Sequence, residues 1–419
     1  MLSVSTKNFE ELMNLKSLLC VTAACAALGA FADPNDPQVT LVSASQDDNR
    51  VLTVTYTLDE PAIVTFDVKT NGVSIGAANL KLASGDVHRV VEAGTRTLLW
   101  PAYEAWPDHT SKKDGAFSVT VTAWATNSPP DYMVVKLVGE DKGARTFYTA
   151  PEQLPGVGGV TNDIYKTDYL VMRRIPAAGK TFRMGSPDSE KKRNADNEIL
   201  HYVSLTNDFY MAVFELTKAQ YKNVIGSTPA ERYFSYVSTN PVDAVTYNSF
   251  RGSTKLWPAN GHDIDTTSKL YTFRSVLNLP TLDLPTEAEW EFACRAGTTA
   301  ARYDGSEYPQ SVSSIAWVGE GTTQPHGVGL LIPNGYGLYD MLGNVDEQCL
   351  DYFSSGSTYA TRGATVIAPQ GPASSNGHVV RGTGSFWSQD GSQARSAYRQ
   401  TYEPSGTWMA VGYRLVCTF

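Results

Sequence analysis

Two stretches alternate tightly enough to fix what the front of this chain becomes. Val51-Leu52-Thr53-Val54-Thr55-Tyr56-Thr57-Leu58 and Ala62-Ile63-Val64-Thr65-Phe66-Asp67-Val68 are dense in β-branched residues. Such residues fit a pleated, half-buried surface, and the two-residue period gives each strand one inner and one outer face. Thr70-Asn71-Gly72 supplies a turn, and Thr95–Trp100 and Phe117–Trp124 continue the pattern. Short strands at this spacing predict a small all-β, immunoglobulin-like sandwich over residues 38–126. Asn127-Ser128-Pro129-Pro130 opens a mixed stretch, read as a linker over 127–166 with a turn cluster at 155–159. No internal repeat or low-complexity run appears.

Residues 1–32 read as an address rather than as structure. A short apolar run, Leu18 to Ala30, follows Lys16, and Ala30-Phe31-Ala32 is a small-x-small cleavage site. The run is too short for a spanning helix, so no transmembrane segment is expected after signal removal. Glu10 and Glu11 are out of place in a basic leader, and Met13 makes a better start. Cys25 invites a lipoprotein reading, but Thr22 stands where such signals want Leu and the apolar run continues beyond the cysteine. The chain is thus expected to be secreted or periplasmic, where disulfides are permitted. With the leader gone, Cys294, Cys349 and Cys417 remain, an odd number, so at least one is unpaired or bonded elsewhere. A net charge of −9 and no Lys/Arg-rich cluster exclude a nucleic-acid partner, which needs a basic face.

From about Thr167 the texture changes to short helical patches among many Gly, Asn and aromatic residues. Thr217-Lys218-Ala219-Gln220 and Thr286-Glu287-Ala288-Glu289 have the form of capping boxes, so helices are expected to start at both. In the second, Trp290, Ala293 and Cys294 share a face, and Gly297 suits the helix end.

Five segments in fixed order carry a resemblance. They are Phe182-Arg183-Met184-Gly185-Ser186; Phe209-Tyr210-Met211 with Glu215-Leu216-Thr217 and Gln220-Tyr221; Leu284–Glu291; Pro333–Met341 with Gly343-Asn344-Val345; and Gly384–Trp387 with Arg395–Arg399 and Gly412–Val416. Together they make residues 167–419 resemble the formylglycine-generating, sulfatase-modifying-factor family. The resemblance implies an α+β, loop-rich, C-type-lectin-like fold. It also implies a copper-dependent oxidation of a sulfatase cysteine, with Cu(I) held by two thiolates because a soft ion prefers sulfur. The matching positions here are Ser388 and Gln393, so no copper is expected. The family pattern Gly-Asn-x-Trp-Glu-Trp reads Gly343-Asn344-Val345-Asp346-Glu347-Gln348, with both tryptophans gone. The His-x-x-x-His-x-Glu spacing of the family's iron-dependent branch is missing as well. The family's calcium site survives as Asp340, the carbonyls of Gly343 and Val345, and Glu347, an oxygen set of the kind a hard cation takes. A second calcium site looks lost: the loop from Trp317 to Pro333 is short, and Ile315 stands where a liganding Asn belongs. The resemblance further implies a Cys294–Cys417 disulfide, leaving Cys349 as the free thiol.

Two functions follow. One is a non-catalytic binding or scaffold module whose exposed Tyr, Trp and Asn suit a carbohydrate or an extracytoplasmic protein. The other is an enzyme of the same family with a divergent site around Asp346, Ser385, Ser388, Gln393, Arg395 and Arg399. In that case Ser388 as nucleophile needs a neighbouring base, which the sequence does not reveal.

Overall fold

The computed structural model describes residues 36–107, 117–229, 234–319, 324–355, 363–384 and 390–418. The leader expected over residues 1–32, and Ser385 and Ser388, lie outside them. The chain divides into two compact units, Met1–Pro130 with Phe147–Gly159, and Asp131–Thr146 with Val160–Phe419. The architecture is mixed, rich in sheet and poor in helix.

The first unit holds β1 (Val39–Gln46), β2 (Val51–Leu58), β3 (Ala62–Thr70), β4 (Val73–Ser74), β5 (Ser84–Gly85), β6 (Val90–Val91), β7 (Gly94–Pro101), the one-turn α1 (Ala102–Ala105) and β8 (Phe117–Trp124). One sheet runs β1-β2-β7-β5; the other is built on β3, paired with β4, β6 and β8. The alternation read from the sequence does what it should in β2: Leu52, Val54, Tyr56 and Leu58 are buried and the threonines between them are not. These four meet Val64, Phe66 and Val68 of β3, Leu98 and Trp100 of β7, and Val119 and Val121 of β8 in one core between the sheets.

The second unit begins inside the stretch read as a linker. β9 (Tyr132–Lys136) and β10 (Arg145–Tyr148) join β11 (Tyr169–Ile175), β14 (Phe209–Ala212) and β22 (Val416–Cys417) in a sheet ordered β10-β9-β11-β14-β22. Tyr132-Met133-Val134-Val135 is an apolar run that the sheet buries, which is why this segment is not a bare tether. β12 (Thr181–Met184), β13 (His201–Ser204) and β18 (Thr365–Ile367) form a second sheet, and β15 (Ala316–Trp317) pairs with β16 (Leu342–Gly343). β17 (Asp346–Tyr352), β19 (His378–Arg381), β20 (Gln400–Tyr402) and β21 (Val411–Gly412) form a fourth, ordered β20-β19-β17-β21.

Among the described residues of this unit, four α-helices punctuate the strands: α2 (Lys218–Ile225), α3 (Tyr247–Phe250), α4 (Lys269–Leu277) and α5 (Glu287–Arg295). The two capping boxes read from the sequence are both formed. Thr217 Oγ1 accepts from Gln220 N–H and Thr286 Oγ1 from Glu289 N–H, while each partner side chain bonds back to the cap. α5 is buried along almost its whole length and sets Trp290, fully enclosed, into the main core.

Candidate functional site

The residues singled out from the sequence converge on β17 and the turn before it. Gly343 sits at φ +86°, and a Cβ there would meet Trp317 N at 2.6 Å, so only glycine lets β16 lie against β15. The strand then projects its side chains alternately to two sides.

On one side lies Asp346. Its carboxylate accepts from Gly384 N–H at 2.9 Å, from Gln400 Nε2 at 3.0 Å to each oxygen, and from Tyr402 Oη at 3.1 Å. Burial pushes its pKa up to about 6 against the pull of these donors. Asp346 is completely enclosed and its acceptor capacity is spent on protein. The residue is the centre of a satisfied polar network.

On the other side Glu347 meets Arg414. Arg414 Nε lies 3.0 Å from both carboxylate oxygens and Nη2 lies 2.6 Å from Oε1, while Trp290 Nε1 donates to Oε2 at 2.6 Å. The remaining guanidinium hydrogens go to the carbonyls of Ala212, Val213 and Tyr339. Nearby, Glu215 accepts from Asn344 Nδ2 at 2.6 Å and from Val345 N–H at 3.1 Å. Burial, then the charges of Asp340 and Glu347, hold Glu215 well above the usual carboxylate range. Asp340 Oδ2 accepts from Gly329 N–H at 2.7 Å, but Oδ1 is buried without a hydrogen-bond partner. Burial raises Asp340 to about 6. Glu215 and Arg414 stand in the quoted motifs without a role; Glu215 bonds to Asn344, 129 residues away, and Arg414 to Glu347, 67 residues away, so neither contact carries a local spacing signal.

The Thr-Glu-Ala-Glu-Trp-Glu segment is an ionic hub. Glu287 binds Arg399 at 2.6 Å and Arg381 at 3.0 Å, and Glu291 binds Arg295 at 2.8 Å and also Arg381. Burial alone would raise Glu291, but Arg295 and Arg381 overcome it and hold the carboxyl below its ordinary value. Arg395 and Arg399, candidates for a divergent active site, are committed elsewhere. Arg395 joins Glu190 at 2.6 Å and Glu198 at 2.7 Å, and Arg399 also donates to the carbonyls of Asn197 and Ser354. Gln393 takes part through its backbone: its carbonyl accepts from Thr383 Oγ1 at 2.9 Å. Thr383, the extra residue of the glycine turn, adopts φ +68° to make this contact. Beside α5 a cavity of about 250 Å³ is lined by Met184, His201, Glu287, Asp351 and the Pro369–Pro372 turn. Asp351 accepts from Glu287 N–H at 2.7 Å, and burial, with the Glu287 charge, raises it to about 8.

The disulfide expected between Cys294 and Cys417 is not formed; Cys294, Cys349 and Cys417 are all free and buried. Strand alternation is the reason. Val416 faces the core that holds Cys294, so Cys417, one residue later, points to the opposite side of the sheet, with Sγ 3.8 Å from Met172 Sδ. Cys294 Sγ instead lies 3.6 Å from Ser396 Oγ. Burial raises both thiols to about 12 and Cys349 well above its ordinary value.

The calcium set fits only in part. The orphan Asp340 Oδ1 suits a cation, but both Glu347 oxygens are held by Arg414 and Trp290, and among the described residues no group of three His, Cys, Asp or Glu side chains is arranged to hold a metal. As it stands, the four-residue set does not fit a calcium ion.

Residues 171–419 match the sulfatase-modifying factor enzyme 1-like domain. The chain therefore belongs to the formylglycine-generating, sulfatase-modifying-factor family. It is 35% identical over 145 residues to a formylglycine-generating enzyme of Thermomonospora curvata, covering 31% of this chain and 48% of that one. It is 36% identical over 131 residues to the serine/threonine-protein kinase pkn1 of Chlamydia pneumoniae, covering 31% and 20%. The matches thus span at most about half the length of these two relatives. Among solved structures, Treponema denticola variable protein 1 superposes with a TM-score of 0.48 at 23% identity, over 63% of this chain and 98% of that one.

Proposed function

We propose that this chain is an exported, non-catalytic member of its family, a binding or scaffold protein that does not make formylglycine. In this reading an immunoglobulin-like module precedes a C-type-lectin-like domain, and the partner is a carbohydrate or another extracytoplasmic protein. One observation carries it: no cysteine lies between Leu350 and Val416, so the two positions that match the copper thiolates are Ser388 and Gln393. A neutral hydroxyl and an amide are poor ligands for Cu(I). The three cysteines that follow the leader do not make good the loss, because each is buried and burial disfavours the thiolate that would bind metal.

The neighbouring chemistry supports the same reading. Asp346, Glu347, Arg395 and Arg399 are ion-paired or hydrogen-bonded within the protein, so they serve packing rather than a substrate. Calcium has no part in this reading, since Glu347 would have to leave Arg414 to ligate it. Metal analysis of the purified chain tests the proposal. Stoichiometric copper or iron would overturn it, and a preparation free of both is the expected result.

A further inference from the structure

Asp351 lies beside the ionic hub of α5 without sharing in it. Glu287 and Glu291 are each engaged by two arginines, but among the described residues Asp351 forms no ion pair. Its Oδ2 accepts from Glu287 N–H at 2.7 Å at the start of the helix, and no other described donor reaches the carboxyl. The charged groups around it are Glu287 and Glu289 of α5 and Arg399 ahead of β20, with His201 of β13 on the same cavity. Burial, then the charge of Glu287, raises Asp351 to about 8; Glu289 adds to the rise and Arg399 opposes it. Ionised, Asp351 would be an enclosed charge with no partner, so at neutral pH it keeps its proton.

The cavity of about 250 Å³ that this acid lines has the composition of a ligand site. His201, Glu287 and Asp351 in its wall are 2%, 2% and 3% exposed. His201 Nδ1 lies 2.8 Å from the carbonyl of Ile199, so it carries the ring proton and Nε2 keeps the lone pair. No Lys or Arg stands among the described lining residues, and the rest of the wall is largely apolar, with Met184, Ala288 and Val366. The rim is fixed by the fold. Trp257 Nε1 donates to the carbonyl of Gln370 at 2.9 Å, and Gly371 at φ +72° lies so near Asp351 that a Cβ would come within 3.0 Å of the Asp351 Cβ.

We propose that this cavity binds a small primary alkylammonium ion, its nitrogen on the Asp351 carboxylate and its stem along the apolar wall. The chemistry selects the class. An anion would be repelled by Glu287 and would leave Asp351 without a partner. A neutral molecule would leave the acid protonated and gain nothing from its charge. A divalent metal needs several side-chain ligands, but Glu287 is spent on two arginines and no group of three metal-binding side chains is arranged among the described residues. A primary ammonium brings the missing positive charge with N–H donors, and its stem matches the apolar lining. Binding is coupled to one proton: the acid ionises as the ion pair forms, and its proton passes to solvent. The inference is independent of what stands at Ser388 and Gln393.

Titration calorimetry of the purified chain with n-butylammonium chloride tests it, in buffers of differing ionisation enthalpy so that released protons are counted. Saturable binding is expected, with close to one proton released per amine at pH 7. Affinity should rise about tenfold between pH 6 and pH 7 and level off above about pH 8, as the ionised fraction of Asp351 grows. Butan-1-ol and butyrate should bind at least about tenfold more weakly. Asp351→Asn keeps an acceptor for Glu287 N–H, so the helix start is preserved; it should weaken butylammonium binding about tenfold or more and abolish the proton release. Absence of saturable binding below about 10 mM at pH 8 overturns the proposal. So does butan-1-ol binding as tightly as the amine, or an Asn variant that binds it as well as the parent. Should the Asn variant not fold, the parent decides alone: amine binding without proton release is equally fatal.

Discussion

Arg414→Met isolates the strongest electrostatic commitment in the domain. Arg414 and Glu347 are both completely enclosed, and the guanidinium engages both carboxylate oxygens and three backbone carbonyls. Methionine keeps the length of the stem and removes the charge. Glu347 is then left buried beside Glu215 and Asp340 with only Trp290 Nε1 as a donor. Removing one partner of a buried pair costs about 3–5 kcal/mol, because the remaining charge has no compensation. At about 2–4 °C per kcal/mol for a domain near this size, the melting temperature should fall by about 6–20 °C. Glu347→Gln added to Arg414→Met removes the stranded charge and keeps an acceptor for Trp290, so it should recover at least half of the loss. Scanning calorimetry of the parent, both single variants and the double variant completes the cycle. A fall of less than about 2 °C for Arg414→Met, or a double variant no more stable than the single one, would show that Glu347 does not depend on Arg414 in this way.

Two further outcomes follow from buried groups outside that pair. Asp351 has a folded pKa of about 8, above its unfolded value, so its contribution to stability is greatest at low pH and is lost as pH rises through 8. Asp351→Asn cannot ionise, and its stability relative to the parent should climb between pH 5 and pH 8 by up to about 1.4 kcal/mol per unit; a difference flat in pH would sink this account. The three thiols should resist alkylation in the native protein and react together on unfolding, and peptide mapping without reductant should find each one unlinked. A Cys294–Cys417 bridged peptide would show the described arrangement of β22 to be wrong.

What could be read from the sequence divides by range. β2, β3 and β8 announce themselves through a local two-residue period, and the starts of α2 and α5 through a threonine and a Glu or Gln three residues on. The order of five motifs was enough to name the family. The segment at 132–136 was missed because its burial depends on β11, a partner more than thirty residues later. The disulfide failed by one residue of strand phase, Val416 against Cys417, which no motif resolves. Glu347 looked like a calcium ligand in its own segment, and its engagement by Arg414, 67 residues away, becomes visible only in three dimensions.

The proposal that this chain does not form formylglycine is checked by the reaction itself. The purified chain is incubated with copper, reductant, oxygen and a peptide carrying a sulfatase cysteine motif, beside a control without protein. Mass spectrometry should find the peptide cysteine unconverted above the control. The mass loss of cysteine-to-aldehyde conversion, appearing faster than in the control, would contradict the account.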